Sequence, residues 1–164
     1  MEKTLFICCL VVLFATPVFS QEKDIPRIDG PVLSDSLKIM EPLANKNWIG
    51  EIKHLRDGRL LKINRNFQVI WNGSIVKYSS YLPEMNSFIE GYYYWDWKAK
   101  QVEVFIITNR GVLQKGAVSV ENGMLTVKGT ISFPERSFEY KNTFEFTADG
   151  KMIDRWSQTC LYGR

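Results

Sequence analysis

SFIEGYYYWDWKAKQVEVF, residues 87–105, decides how the rest of the chain is read. Aromatic and β-branched residues fill two runs, and a short polar turn from Trp97 to Lys100 separates them, the pattern of a β-hairpin. The same grammar repeats on both sides. Upstream, Trp48 to Leu55, Leu60 to Trp71 and Ser74 to Leu82 are strand-like, punctuated by Asp57-Gly58, Asn72-Gly73 and a Pro83 to Asn86 loop. Downstream, the runs are Val112 to Val120, Met124 to Phe133, Phe138 to Thr147 and Met152 to Tyr162. Asn109-Arg110-Gly111, Glu121-Asn122-Gly123, Pro134-Glu135-Arg136 and Ala148-Asp149-Gly150 divide them. This predicts an all-β, up-and-down antiparallel meander of eight to ten strands, with no connection long enough for a crossover helix. An open sheet of that size leaves two bare edges and an apolar face. Closing it into a barrel removes both, whereas a two-layer sandwich lacks the long connections it needs.

Helical spacing occurs once, where Ser34-Asp35 can cap a short helix carrying Leu37, Met40 and Leu43-Ala44, and Pro42 limits its length. Residues 21–34 hold Pro26, Gly30 and Pro31 without periodicity and read as a flexible arm. Before them, Met1-Glu2-Lys3 precedes an apolar run from Leu5 to Ala15, and Val18-Phe19-Ser20 offers small residues for cleavage before Gln21. That is the layout of a signal peptide over residues 1–20, too short in its apolar run for a bilayer span. The expectation is an exported protein, periplasmic or secreted, without a stable membrane anchor after cleavage, and one domain over residues 35–164. Of three cysteines only Cys160 lies outside that leader, so no intrachain disulfide is expected in the processed chain. The net charge of +3 comes from bases and acids interleaved along the chain, which argues against nucleic acid as a partner.

The short helix, Trp48 at the start of the first long strand, the meander and a basic residue late in the last strand resemble the calycins. Within that superfamily the chain is most similar to bacterial lipocalin-like domains of uncharacterised function, on LANKNWIGEI, the Asp57-Gly58 turn and FIEGYYYWDWKAKQV. In lipocalins a Gly-x-Trp opens the first strand and an Arg from the last strand lies across the indole. Trp48 matches that Trp and Lys46 replaces the Gly. Arg155 is the Arg by analogy, so the resemblance implies that Trp48 and Arg155 close the barrel floor. No Thr-Asp-Tyr motif is present.

Candidate site residues follow from strand phase. His54, the only histidine, shares a face with Trp48; it is either a hydrogen-bonded core His or, as in haem-binding barrels, a ligand. Zinc is disfavoured for want of further His or Cys, and no cofactor is expected. Arg65 shares a face with Leu61, Ile63, Phe67 and Val69, so an inward face would put a guanidinium inside the barrel, needing a partner. Glu90, in phase with Phe88, Tyr92 and Tyr94, and Asn142, in phase with Tyr140, are the expected inward partners. Arg65, His54, Glu90, Tyr92, Tyr94, Tyr140 and Asn142 would then read the polar end of a small hydrophobic or amphipathic ligand. The rival interpretations are a structural Arg–Glu pair and the opposite assignment of faces.

Trp95 and Trp97 share the other face of the same strand and suggest, as an alternative, a carbohydrate-binding surface. No Gly-x-Ser-x-Gly, Walker or Rossmann motif occurs. Glu90 and Asp96 are in phase on one strand but about 20 Å apart, too far for a glycosidase pair. An enzyme in the same barrel would need His54 beside a carboxylate in a deep pocket.

Overall fold

A computed structural model describes residues 18–20, 30–53 and 59–160. Within them the chain forms strands β1 (Val18–Ser20), β2 (Lys46–Lys53), β3 (Leu60–Ile70), β4 (Ile75–Leu82), β5 (Ser87–Asp96), β6 (Gln101–Thr108), β7 (Leu113–Glu121), β8 (Met124–Phe133), β9 (Arg136–Phe146) and β10 (Lys151–Cys160). Each strand from β2 to β10 pairs antiparallel with the next, as the meander pattern predicts. The architecture is an all-β, up-and-down barrel with one short helix, consistent with a calycin-type fold. The Asp57-Gly58 turn lies outside the described residues.

Nine strands in strict alternation leave the first and last, β2 and β10, running parallel, so they cannot join as an antiparallel pair. β1 resolves this. Its three residues pair antiparallel with β10 (Val18 opposite Ile153) and with β2 (Phe19 opposite Gly50), closing the ring. The closing strand therefore comes from the stretch expected to be a leader, immediately before the expected cleavage point.

Burial along the strands follows the two-residue period of the pleat. Leu61, Ile63, Phe67 and Val69 of β3, Val76, Tyr78 and Leu82 of β4, and Val102, Val104 and Ile106 of β6 are all buried and face inward. The intervening positions carry Lys62, Lys77, Glu90, Glu103, Lys128, Glu139 and Lys141, in whole or part exposed. A polar outside around an apolar inside is the reverse of a lipid-facing barrel wall. Among the described residues no helix is long and apolar enough to cross a membrane.

The helix, Asp35–Met40, has 3-10 geometry and is shorter than the periodicity suggests, because Pro42 cannot continue it. It lies at one end of the barrel, against β5 and β6, with Leu37, Met40 and Leu43 fully buried. Residues 30–34, read from sequence as part of a flexible arm, are tied to this end. The Ser34 N–H donates to the Gly73 carbonyl at 3.0 Å, and a Cβ on Gly73 (φ +88°) would sit 2.0 Å from the Val32 carbonyl oxygen. The turn there has positive φ at Trp71, Asn72 and Gly73, which swings Trp71 out of phase with β3 and leaves it 73% exposed rather than inside.

Candidate functional site

The inner wall is largely apolar and carries one buried ion pair. Arg65 on β3 reaches across the barrel to Asp154 on β10, where Nη1 donates to Oδ2 in an ion pair whose side chains are 13% and 4% exposed. Burial is the largest single influence on Arg65 and opposes its charge, but Asp154 together with Tyr78 and Tyr93 outweighs it and the guanidinium holds its proton more tightly than usual. Trp48 is the cross-strand neighbour of Arg65 on β2, and Ser80 its neighbour on β4. Tyr93 is close enough to Tyr78, Tyr140, Arg65 and Asp154 to feel their charge; burial, the two tyrosines and Asp154 push its phenol well up against the opposing pull of Arg65. Burial pushes the Tyr140 phenol up to about 12.

Tyr140 owes its position to two glycines. Gly129 is its neighbour on β8 and Gly116 lies beyond on β7. A Cβ on Gly116 would lie 2.9 Å from the Tyr140 hydroxyl. The ring therefore runs along the wall over Gly129 instead of across the lumen, an aromatic side chain covering a bare glycine. Besides the Arg65–Asp154 contact, several buried polar atoms of the barrel have no hydrogen-bond partner: Trp48 Nε1, Ser80 Oγ, Tyr140 OH, Asn142 Oδ1 and Asp154 Oδ1. A buried polar group without a partner costs about 1–3 kcal/mol, so several facing one interior favour a polar group that would meet them.

The expected site is thus assembled in part. Arg65, Tyr140 and Asn142 face inward. Glu90, Tyr92 and Tyr94 do not. The phase of β5 is set by Gly91 and Tyr93, which are buried, so its even positions lie on the outer face. There Tyr92 OH donates to Glu90 Oε1 at 2.7 Å and Lys77 pairs with Glu90 at 3.2 Å. The partner of Arg65 is Asp154, a residue the sequence reasoning missed. Its one signal was a lone acid in phase with Met152 and Trp156. His54 lies outside the described residues.

Trp48 is buried and packs on Phe146 with ring centroids 5.9 Å apart. Arg155 is not the residue across the indole. It points outward and pairs with Glu145 at 2.5 Å, because Asp154 takes the inward position of β10. Trp95 and Trp97 meet edge-on at 83°, with Trp95 half-buried and Trp97 83% exposed, so they do not form a flat sugar-stacking platform. Among the described residues no three His, Cys, Asp or Glu side chains converge as metal ligands.

An open cleft of about 460 Å³ runs along the outside of β8 to β10, lined by Lys128, Thr130, Glu139, Lys141 and Ser157. Its lysines are already engaged, since Glu121 pairs with Lys128 at 2.5 Å and Lys141 at 2.9 Å. These two lysines hold the Glu121 carboxyl down to about 2. The interior cluster is therefore the stronger candidate. No protein-family model matches this chain, and no curated protein matches it.

Proposed function

We propose that this protein is an exported, lipocalin-like binding protein that holds a small hydrophobic or amphipathic molecule inside its barrel. The observation that carries the reading is the set of buried, partnerless polar atoms that several strands bring, with the Arg65–Asp154 pair, to a largely apolar interior. Ligand sites are concave and mostly apolar, with a few convergent polar groups that fix orientation. The leader-like residues 1–20 support export, to the periplasm or the medium, and cleavage before Gln21 would remove β1 and leave the β2–β10 seam of the ligand-holding barrel open.

Native mass spectrometry of the purified protein, before and after organic extraction, tests this. The expected result is a one-to-one adduct of a small amphiphile that extraction removes and that rebinds on mixing. Ser80→Ala and Tyr140→Phe together should weaken rebinding without changing the fold. A bare polypeptide mass in every condition, with no rebinding of any lipid offered, would refute the reading.

A further inference from the structure

The proposed ligand's polar end can be specified further, on the assumption that the interior of the barrel is its site. We infer that this end is uncharged and both donates and accepts hydrogen bonds, as an alcohol or a primary amide does, and is not a carboxylate.

Two independent features point there. The first is charge. Arg65 is the residue an anionic ligand would seek, yet Asp154 already balances its charge. Between the strand ends, the other inward side chains described are uncharged; Lys46, at the helix-capped rim, donates its ammonium to the Pro42 carbonyl at 2.8 Å. A ligand carboxylate would be a second anion beside one buried cation, where low dielectric magnifies like-charge repulsion.

The second is hydrogen-bond chemistry. Trp48 Nε1 can only donate, while Asp154 Oδ1 and Asn142 Oδ1 can only accept, and the Ser80 and Tyr140 hydroxyls can do either. A carboxylate brings acceptors alone and leaves both carbonyl-type oxygens unsatisfied. A hydroxyl or carboxamide answers both kinds. Sites built to meet a donor and an acceptor reject analogues lacking one, because buried groups are then left unpaired.

Competition against a neutral naphthylamine fluorophore separates these ligands, using an alkanol, an alkanamide and an alkanoate of one chain length at neutral pH. The alcohol and amide should displace the probe at concentrations at least about tenfold lower than the carboxylate, a discrimination within reach of one desolvated charge. Asp154→Asn leaves Arg65 uncompensated and should narrow or reverse that order. Should Asp154→Asn not fold, the paired replacement Arg65→Met with Asp154→Leu removes both charges at once, and its preference for neutral ends over carboxylate should shrink. Carboxylate preference in the unaltered protein, or an order insensitive to both variants, overturns this inference while leaving the binding function intact. Failure of all three chains to compete, with the fluorophore itself unbound, overturns the proposed function and this inference together.

Discussion

Truncating Asp154 to Ala should unfold the barrel more readily than any surface change of the same size. The substitution leaves a guanidinium inside the barrel with its carboxylate gone, and only 13% of that side chain reaches solvent. Removing one member of a buried ion pair costs about 3–5 kcal/mol. In a domain of this length each kcal/mol lowers Tm by about 2–4 °C, so the expected fall is roughly 6–20 °C. Arg155–Glu145 is the control: its side chains are 38% and 41% exposed, and breaking so exposed a pair should cost less than about 1 kcal/mol. Urea denaturation of Asp154→Ala, Arg65→Met, the double variant Arg65→Met/Asp154→Leu and Glu145→Ala completes the comparison. The double variant should recover most of the loss, since replacing a whole buried pair by apolar residues is often neutral or better. If Asp154→Ala costs no more than Glu145→Ala, or the two interior substitutions simply add, Arg65 and Asp154 are not a buried pair.

Alkali should unfold the protein through its interior tyrosines. Burial raises the folded-state pKa of Tyr140 from 10.0 to about 12, so the stability linked to its neutral form is whole below pH 10 and lost as the pH climbs toward 12. Phenolate absorbance should show Tyr93 and Tyr140 ionising together with unfolding; independent early titration of both would contradict their burial. Gly129→Ala and Gly116→Ala should both destabilise the barrel, the first more than the second. The first places a Cβ 1.8 Å from the Lys115 carbonyl oxygen, whereas the second meets the Lys128 carbonyl oxygen at 2.6 Å and the Tyr140 hydroxyl at 2.9 Å. Equal melting temperatures would refute the close approach of β7 and β8. A chain beginning at Gln21 lacks β1 and leaves β2 and β10 as parallel edges. Its seam amides around Ile49 and Ile153 should exchange faster than in a chain beginning at Thr16, and unchanged protection would mean β1 does not close the barrel.

The strands were legible because a half-buried sheet writes its period into the sequence, as β3 and β6 do with alternating apolar and polar residues. The same rule misled on β5. SFIEGYYYWDW places aromatic residues at both parities, so hydrophobicity carries no phase there. Gly91 decides it, since a Cβ would lie 2.5 Å from Ile106 Cγ1, a contact visible only once β5 and β6 are paired. Asp154 was missed for a related reason. It stands 89 residues from Arg65, and their meeting depends on closure across the seam, not on any local pattern. Family resemblance drew attention to Arg155 instead, one position out of phase. Trp71 continues the alternation of β3 on paper, but three consecutive left-handed residues end the strand before it.

Indole N–H resonances offer the most direct test of the claim that the ligand sits inside the barrel. The chain has five tryptophans, and Trp48 alone among them combines full burial with a partnerless Nε1 on the inner wall. Trp71 and Trp97 stand in solvent. Titrating the alkanol into labelled protein should shift the Trp48 indole signal and leave those of Trp71 and Trp97 in place. Shifts confined to Trp71 and Trp97, with Trp48 unmoved at saturation, would put the ligand on the outside and contradict the account.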